Sequence, residues 1–153
     1  MIPAVGGSAS ASSPAGSPKL GAPRILVLDE ALPVRSMLVD ILHKLGIPDD
    51  EIVIADNAQD ALALFRRAPP HVVFAELVGV HAEDGLEVVL EMLDAAPKTR
   101  IVLVTSEPRE AGEVRAAIRA GAFAFIEKPV RHEKIRQVIQ DLEAEEGGLE
   151  RLR

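Results

Sequence analysis

Five short apolar runs alternate with five helical patterns along residues 24–146, and this alternation restricts the fold more than any other feature of the chain. The runs cover residues 25–28, 52–55, 72–75, 101–104 and 123–126. Each run is almost continuously apolar, which is typical of strands in a parallel sheet that is buried on both faces. Because strands that alternate with helices form such sheets, the sequence predicts an α/β fold with a doubly wound, five-stranded parallel sheet in three α/β/α layers.

The segments between these runs carry apolar residues three and four positions apart, as helices with one buried face do. Pro33 stands in the first turn of the first predicted helix, where proline is tolerated, and Asp56 or Asn57 is placed to cap the second. The residues expected to face the core are, in chain order, Met37, Leu38, Ile41, Leu42 and Leu45; Ala58, Ala61, Leu62 and Phe65; Leu86, Val89, Leu90 and Leu93; Val114, Ala117 and Ile118; and Ile135, Val138, Ile139 and Leu142.

Composition divides the chain into three parts. Residues 1–23 are rich in Ala, Ser, Gly and Pro and lack periodic apolar residues, so we expect a disordered tail. Residues 24–146 form the predicted domain, and Gly147 and Gly148 are expected to end its last helix. We expect residues 147–153 to be a short C-terminal tail and expect no attached output domain.

The charge and composition of the chain argue against several classes of partner. A net charge of -7 would be repelled by nucleic acid and by an anionic membrane. The absence of cysteine excludes disulfides and thiolate metal sites. No apolar stretch approaches the roughly 18 residues of a membrane span, and no secretory signal precedes the domain, so we expect a cytoplasmic protein.

Polar residues follow four of the five predicted strands. Asp29 and Glu30 follow the first strand, Glu76 the third, Thr105 the fourth and Lys128 the fifth. Because the carboxyl ends of parallel strands meet at one edge of the sheet, we expect these side chains to lie together. Three neighbouring carboxylates repel one another, so the site needs cations; Lys128 supplies one charge, and a hard divalent ion bound through oxygens would supply more.

Residues 24 to about 146 resemble the receiver domains of response regulators, the CheY-like domains of two-component phosphorelay signalling. The resemblance is carried by ILVLDEALPVRSML, HVVFAEL, EDGLEVV, IVLVTS and AGAFAFIEKPV. These segments are similar to the family's acidic opening, its phosphoacceptor strand, the start of its third helix, its switch strand and its lysine–proline strand. The resemblance implies the flavodoxin-like (βα)5 fold with strand order 2-1-3-4-5.

The same resemblance implies roles for the residues at the sheet edge. Glu76 stands where the family has the aspartate that accepts the phosphoryl group. Asp29 and Glu30 correspond to the acidic pocket which, with the acceptor carboxylate and the backbone carbonyl near Val78, holds Mg²⁺. Magnesium is therefore the one cofactor that the resemblance suggests, and no other cofactor is expected.

The remaining site residues correspond to the switch and the lysine of the family. Thr105 would bond the phosphoryl group, and Phe125 would be the aromatic residue whose rotamer is coupled to it. Lys128 would pair with the acceptor or its phosphate, and the bond between Lys128 and Pro129 would be cis.

Three departures from the family pattern indicate an atypical receiver, or pseudo-receiver, that is not an enzyme. Glu76 carries one methylene more than aspartate, which moves its carboxylate outward by roughly 1.5 Å. A misplacement of about 1 Å can slow a positioned reaction on the order of 100-fold. The segments 77–84 and 107–112 are each one residue longer than the usual family spacing.

Two interpretations of Glu76 follow: it imitates the phosphorylated state, or it forms a structural ion pair with Lys128. In both, the domain works by protein–protein interaction, with a histidine kinase or a downstream effector as partner. The fourth helix, fifth strand and fifth helix would form the contact face and would also allow a homodimer. The alternative function is a Mg²⁺-dependent phosphoacceptor that a histidine kinase phosphorylates. A flavin binder shares the layout, but the chain lacks Trp and Tyr and has an acidic edge, which disfavours it.

Overall fold

The computed structural model of the protein describes residues 24–77 and 82–145. Strands and helices alternate along this part of the chain, as the apolar runs predict. The strands are β1 (Ile25–Leu28), β2 (Ile52–Ala55), β3 (Val72–Ala75), β4 (Arg100–Thr105) and β5 (Ala124–Glu127). The helices are α1 (Leu32–Lys44), α2 (Ala58–Arg67), α3 (Ala82–Ala95), α4 (Gly112–Ala120) and α5 (His132–Ala144), and a short 3-10 turn, Asp49–Glu51, precedes β2.

The five strands form one parallel sheet in the order β2-β1-β3-β4-β5, which confirms the predicted fold. The register aligns the carboxyl ends of the central strands, because Leu28 pairs with Ala75 and Ala75 pairs with Leu103. Backbone hydrogen bonds continue this alignment past the strands: Glu76 N–H donates to the Leu28 carbonyl at 3.0 Å. Lys128 N–H donates to the Thr105 carbonyl at 2.8 Å. The residues after each strand are thereby held side by side.

Two apolar cores lie on opposite faces of the sheet. One packs α1 and α5 against alternate residues of the strands, and the other packs α2, α3 and α4 against the remaining strand residues. Most of the residues predicted to face the core are buried, including the whole predicted stripe of α5. Met37 and Leu90 are exceptions, with 46% and 36% of their surface exposed. On α3 the buried stripe runs through Val88, Val89 and Met92, so Leu90 lies on its flank.

The ends of the elements follow local sequence signals. Pro33 lies in the first turn of α1, and the Asn57 side chain caps α2 by accepting a hydrogen bond from the Asp60 N–H at 2.8 Å. Gly121 ends α4 with a φ of +120°, a conformation that side-chain-bearing residues rarely adopt.

The predicted tails, residues 1–23 and 147–153, lie outside the described residues, so the predicted division into three parts stays a prediction. None of the helices in the described ranges combines the length and the apolar character needed to cross a bilayer.

Candidate functional site

Lys128 lies between two carboxylates at the carboxyl edge of the sheet. Its Nζ is 2.8 Å from Asp29 Oδ2 and 2.7 Å from Glu76 Oε1. The exposed fractions of the three side chains are small: 16% for Lys128, 8% for Glu76 and 1% for Asp29. One cation therefore bridges two carboxylates that have little access to water, as expected from the ends of β1, β3 and β5.

Asp29 is held by local hydrogen bonds in addition to its ion pair. Its Oδ1 accepts a hydrogen bond from the Ala31 N–H at 2.8 Å, which fixes the turn between β1 and α1. Its Oδ2 faces Lys128 at ion-pair distance but receives no well-aligned hydrogen bond. Because a buried oxygen without an aligned donor is costly, the charge of Lys128 is the main compensation for this atom.

Arg35 is a residue of the site that the sequence analysis did not single out. It lies in the second turn of α1, half-buried, and its Nη1 donates to the backbone carbonyl of Asp29 at 2.7 Å. The guanidinium group therefore ties α1 to the end of β1. In the sequence this residue is only an arginine six positions after Asp29, and its contact with Asp29 depends on how α1 turns back toward β1.

The backbone at Glu76 is closely approached by the first turns of α3. A Cβ atom at Gly85 would lie 3.2 Å from the Glu76 carbonyl oxygen, which is tighter than most Cβ contacts in proteins. It would also lie 3.5 Å from the Leu77 Cα, which is an ordinary contact distance. Glycine at position 85 thus lets α3 pack against the residue that carries the acidic side chain. This gives a steric reason for the glycine in the segment EDGLEVV.

Burial shifts the protonation equilibria of both Glu76 and Lys128. Desolvation raises the pKa of Glu76 from 4.5 to about 7; the hydrogen bond from Lys128 opposes this rise, and the negative charge of Asp29 adds to it. For Lys128, burial acts to lower the pKa, but the close polar contacts and the charges of Asp29 and Glu76 outweigh it and raise the pKa. At neutral pH Lys128 is therefore charged, whereas Glu76 exchanges between carboxylate and carboxylic acid.

The predicted switch residues lie on the strands beside this ion pair. Thr105 is fully buried at the end of β4, and its Oγ1 accepts a hydrogen bond from the Glu107 N–H at 3.1 Å. Phe125 on β5 is half-buried and packs on the sheet face covered by α2, α3 and α4. Phe125 pairs with Leu103 on the neighbouring strand, so the two side chains lie on the same face of the sheet. Thr105 is two residues after Leu103 and therefore lies on that face as well. The bond between Lys128 and Pro129 is cis, as the resemblance implies.

The described residues do not form a side-chain ligand set for the predicted magnesium ion. Across 24–77 and 85–145, no three His, Cys, Asp or Glu side chains converge on one point. Glu30 is exposed at the start of the β1–α1 turn, and the Lys128 ammonium lies between the other two carboxylates. Val78 falls outside the described residues, so its predicted carbonyl contribution stays a prediction, as does magnesium binding itself.

The comparisons with known proteins agree with the fold. A family model of the response regulator receiver domain matches residues 25–140. The chemotaxis protein CheY of Bacillus subtilis is 29% identical over 116 residues, which cover 76% of this chain and 93% of that protein. The CheY of Halobacterium salinarum is 27% identical over 124 residues, covering 79% and 97% of the two chains.

A solved structure of similar shape is the receiver domain of NtrX from Brucella abortus. It has a TM-score of 0.69 and 28% sequence identity, and the match covers 79% of this chain and 99% of that domain. This chain spans 27% of a longer NtrX chain from the same organism. With three-quarters of its residues matched by the family model and with this fold, the chain belongs to the response regulator receiver domains of two-component signalling.

Proposed function

We propose that this receiver domain is an atypical one that acts by protein–protein interaction, with Glu76 as the structural partner of Lys128 and not as a phosphoacceptor. The observation that carries the proposal is the 2.7 Å contact between Glu76 Oε1 and Lys128 Nζ in a pocket with little exposure to water. The longer side chain of glutamate reaches the lysine directly, without a phosphoryl group between them.

The protonation state of Glu76 argues against its acting as a nucleophile. An attacking carboxylate needs a free, ionised oxygen placed in line with the phosphorus atom. In this site one oxygen of Glu76 is bound by Lys128, and burial raises the pKa of the carboxyl group to about 7. Near neutral pH a large fraction of the molecules therefore carries the weakly nucleophilic carboxylic acid.

The same geometry favours a structural contact between Glu76 and Lys128 over imitation of a phosphorylated state. A phosphoryl group carries about -1.5 to -2 charges at neutral pH and three acceptor oxygens. The Glu76 carboxyl group carries at most one charge and gives part of it up near neutral pH, since its pKa is about 7. The Thr105 hydroxyl, the expected partner of a phosphoryl group, accepts a hydrogen bond from the Glu107 N–H.

The output of such a domain is contact with another signalling protein in the cytoplasm. The face formed by α4, β5 and α5 is the proposed contact surface, where Arg115, Arg119 and Glu127 have exposed side chains. A histidine kinase, a downstream effector or a second copy of this chain would be held there by shape and charge, without a catalytic step on this domain.

The proposal is tested by exposing the protein to a small phosphodonor. Wild-type protein incubated with Mg²⁺ and acetyl phosphate is expected to keep its unmodified mass in intact mass spectrometry. The Glu76→Asp variant shortens the side chain to that of the family's acceptor and is expected to gain a phosphoryl group. A phosphoryl adduct on the wild-type protein that maps to Glu76 would overturn the proposal. An inert Glu76→Asp variant would place the block in the lengthened segment 77–84.

A further inference from the structure

The position of Lys128 bears on which cation this site can take. Its ammonium group lies 2.8 Å from Asp29 Oδ2 and 2.7 Å from Glu76 Oε1, so it touches both carboxylates at once. We infer that Lys128 is the resident cation of the site and keeps a divalent metal ion from binding to the two carboxylates that it bridges. The inference rests on the proposed structural role of Glu76 and extends it to the metal chemistry of the site.

The oxygen atoms of Asp29 are already engaged by other groups. Oδ1 accepts from the Ala31 N–H, the backbone carbonyl accepts from Arg35, and Oδ2 faces Lys128. Magnesium requires about six oxygen ligands at roughly 2.1 Å in near-octahedral geometry. An ion that bound Oδ2 at that distance would lie beside the ammonium group of Lys128, and two cations so close in a poorly hydrated pocket repel each other.

The length of Glu76 is what allows Lys128 to bridge both carboxylates. An aspartate at this position would withdraw the carboxylate by roughly 1.5 Å and would break a contact that is 2.7 Å long. Lys128 would then be left with Asp29 alone, and the freed carboxylate would be open to a metal ion. The bridging position of Lys128 is therefore a consequence of the longer side chain at position 76.

A titration with Mg²⁺ alone, followed by amide NMR, tests this inference without any phosphodonor. Shifts at Ala31, Glu76 and Lys128 report on the two carboxylates. The wild-type protein is expected to show no saturation at these amides up to about 10 mM Mg²⁺ at constant ionic strength. The Glu76→Asp and Lys128→Met variants are expected to bind Mg²⁺ at least about tenfold more tightly. The Lys44→Met variant, which removes an exposed lysine, should behave as the wild type.

Two results would overturn the inference. The first is a wild-type protein whose site amides saturate below about 1 mM Mg²⁺. The second is a folded Glu76→Asp variant with unchanged Mg²⁺ affinity. This variant keeps the inference testable if Lys128→Met does not fold. A wild-type protein that binds Mg²⁺ tightly yet accepts no phosphoryl group would refute this inference and leave the proposed function standing. Phosphorylation of Glu76 would refute the proposed function itself.

Discussion

Replacing Lys128 with methionine is expected to lower the free energy of unfolding by about 3–5 kcal/mol at neutral pH. The change removes the cation that bridges Asp29 and Glu76, whose side chains are 1% and 8% exposed. Asp29 is then left as a buried carboxylate without a cation, and Glu76 has to stay protonated in the folded protein; this cost exceeds that of losing an exposed ion pair several-fold. Urea denaturation at pH 7 measures the effect.

Two further variants separate this electrostatic cause from loss of packing. Lys44→Met breaks the exposed pair between Lys44 and Asp40, and it should change stability by less than about 1 kcal/mol. Adding Glu76→Gln to Lys128→Met removes the group that must take up a proton when the variant folds and should recover at least about 1 kcal/mol of the loss. A Lys128→Met variant that loses less than about 1 kcal/mol would show that the buried ion pair does not form in solution.

The stability of the wild-type protein is expected to fall between about pH 5 and pH 8, by roughly 3 kcal/mol from Glu76 alone. The pKa of this group is about 7 in the folded protein and 4.5 when it is fully solvated. Because the folded value is the higher one, the folded protein holds a proton that the unfolded chain has already lost. The contribution is therefore fully present below about pH 4.5 and is lost as the pH rises through about 7.

The Glu76→Gln variant isolates this contribution from the other titrating groups. Glutamine keeps the size of the side chain and still accepts a hydrogen bond from Lys128, but it does not titrate. The difference in unfolding free energy between the two proteins should therefore shift in favour of the variant as the pH rises from about 5 to 8. Parallel stability profiles of the two proteins over that range would contradict the raised pKa.

The fold was predictable from the sequence because each strand coincides closely with a short apolar run. The runs 25–28, 52–55 and 72–75 are strands with those bounds, because short apolar runs between helical patterns are typical of strands in a parallel sheet. The bounds of β4 and β5 shifted because pairing extends β4 to Arg100 and Thr105 and moves β5 by one residue to Ala124–Glu127. Backbone pairing with a neighbouring strand is not visible in local composition.

The meeting of Asp29, Glu76 and Lys128 was predictable from the sequence, whereas the protonation behaviour of this cluster was not. Polar residues after four strands had to meet at one edge of a parallel sheet, and the reach from Glu76 to Lys128 was expected from side-chain length. The role of Arg35 was not predicted, because its hydrogen bond to Asp29 depends on the angle at which α1 leaves the turn. The raised pKa of Glu76 was not predicted either, because it arises from burial by elements distant in sequence.

The most direct test of the account is a ¹³C NMR titration of the Glu76 side-chain carboxyl group. We expect a midpoint near pH 7 in the wild-type protein, caused by burial and by Asp29. In the Lys128→Met variant the midpoint should move higher still, since the hydrogen bond from Lys128 lowers the pKa of Glu76. A midpoint near the solvated value of 4.5 that does not respond to the loss of Lys128 would contradict the claim that Glu76 is the buried partner of this lysine.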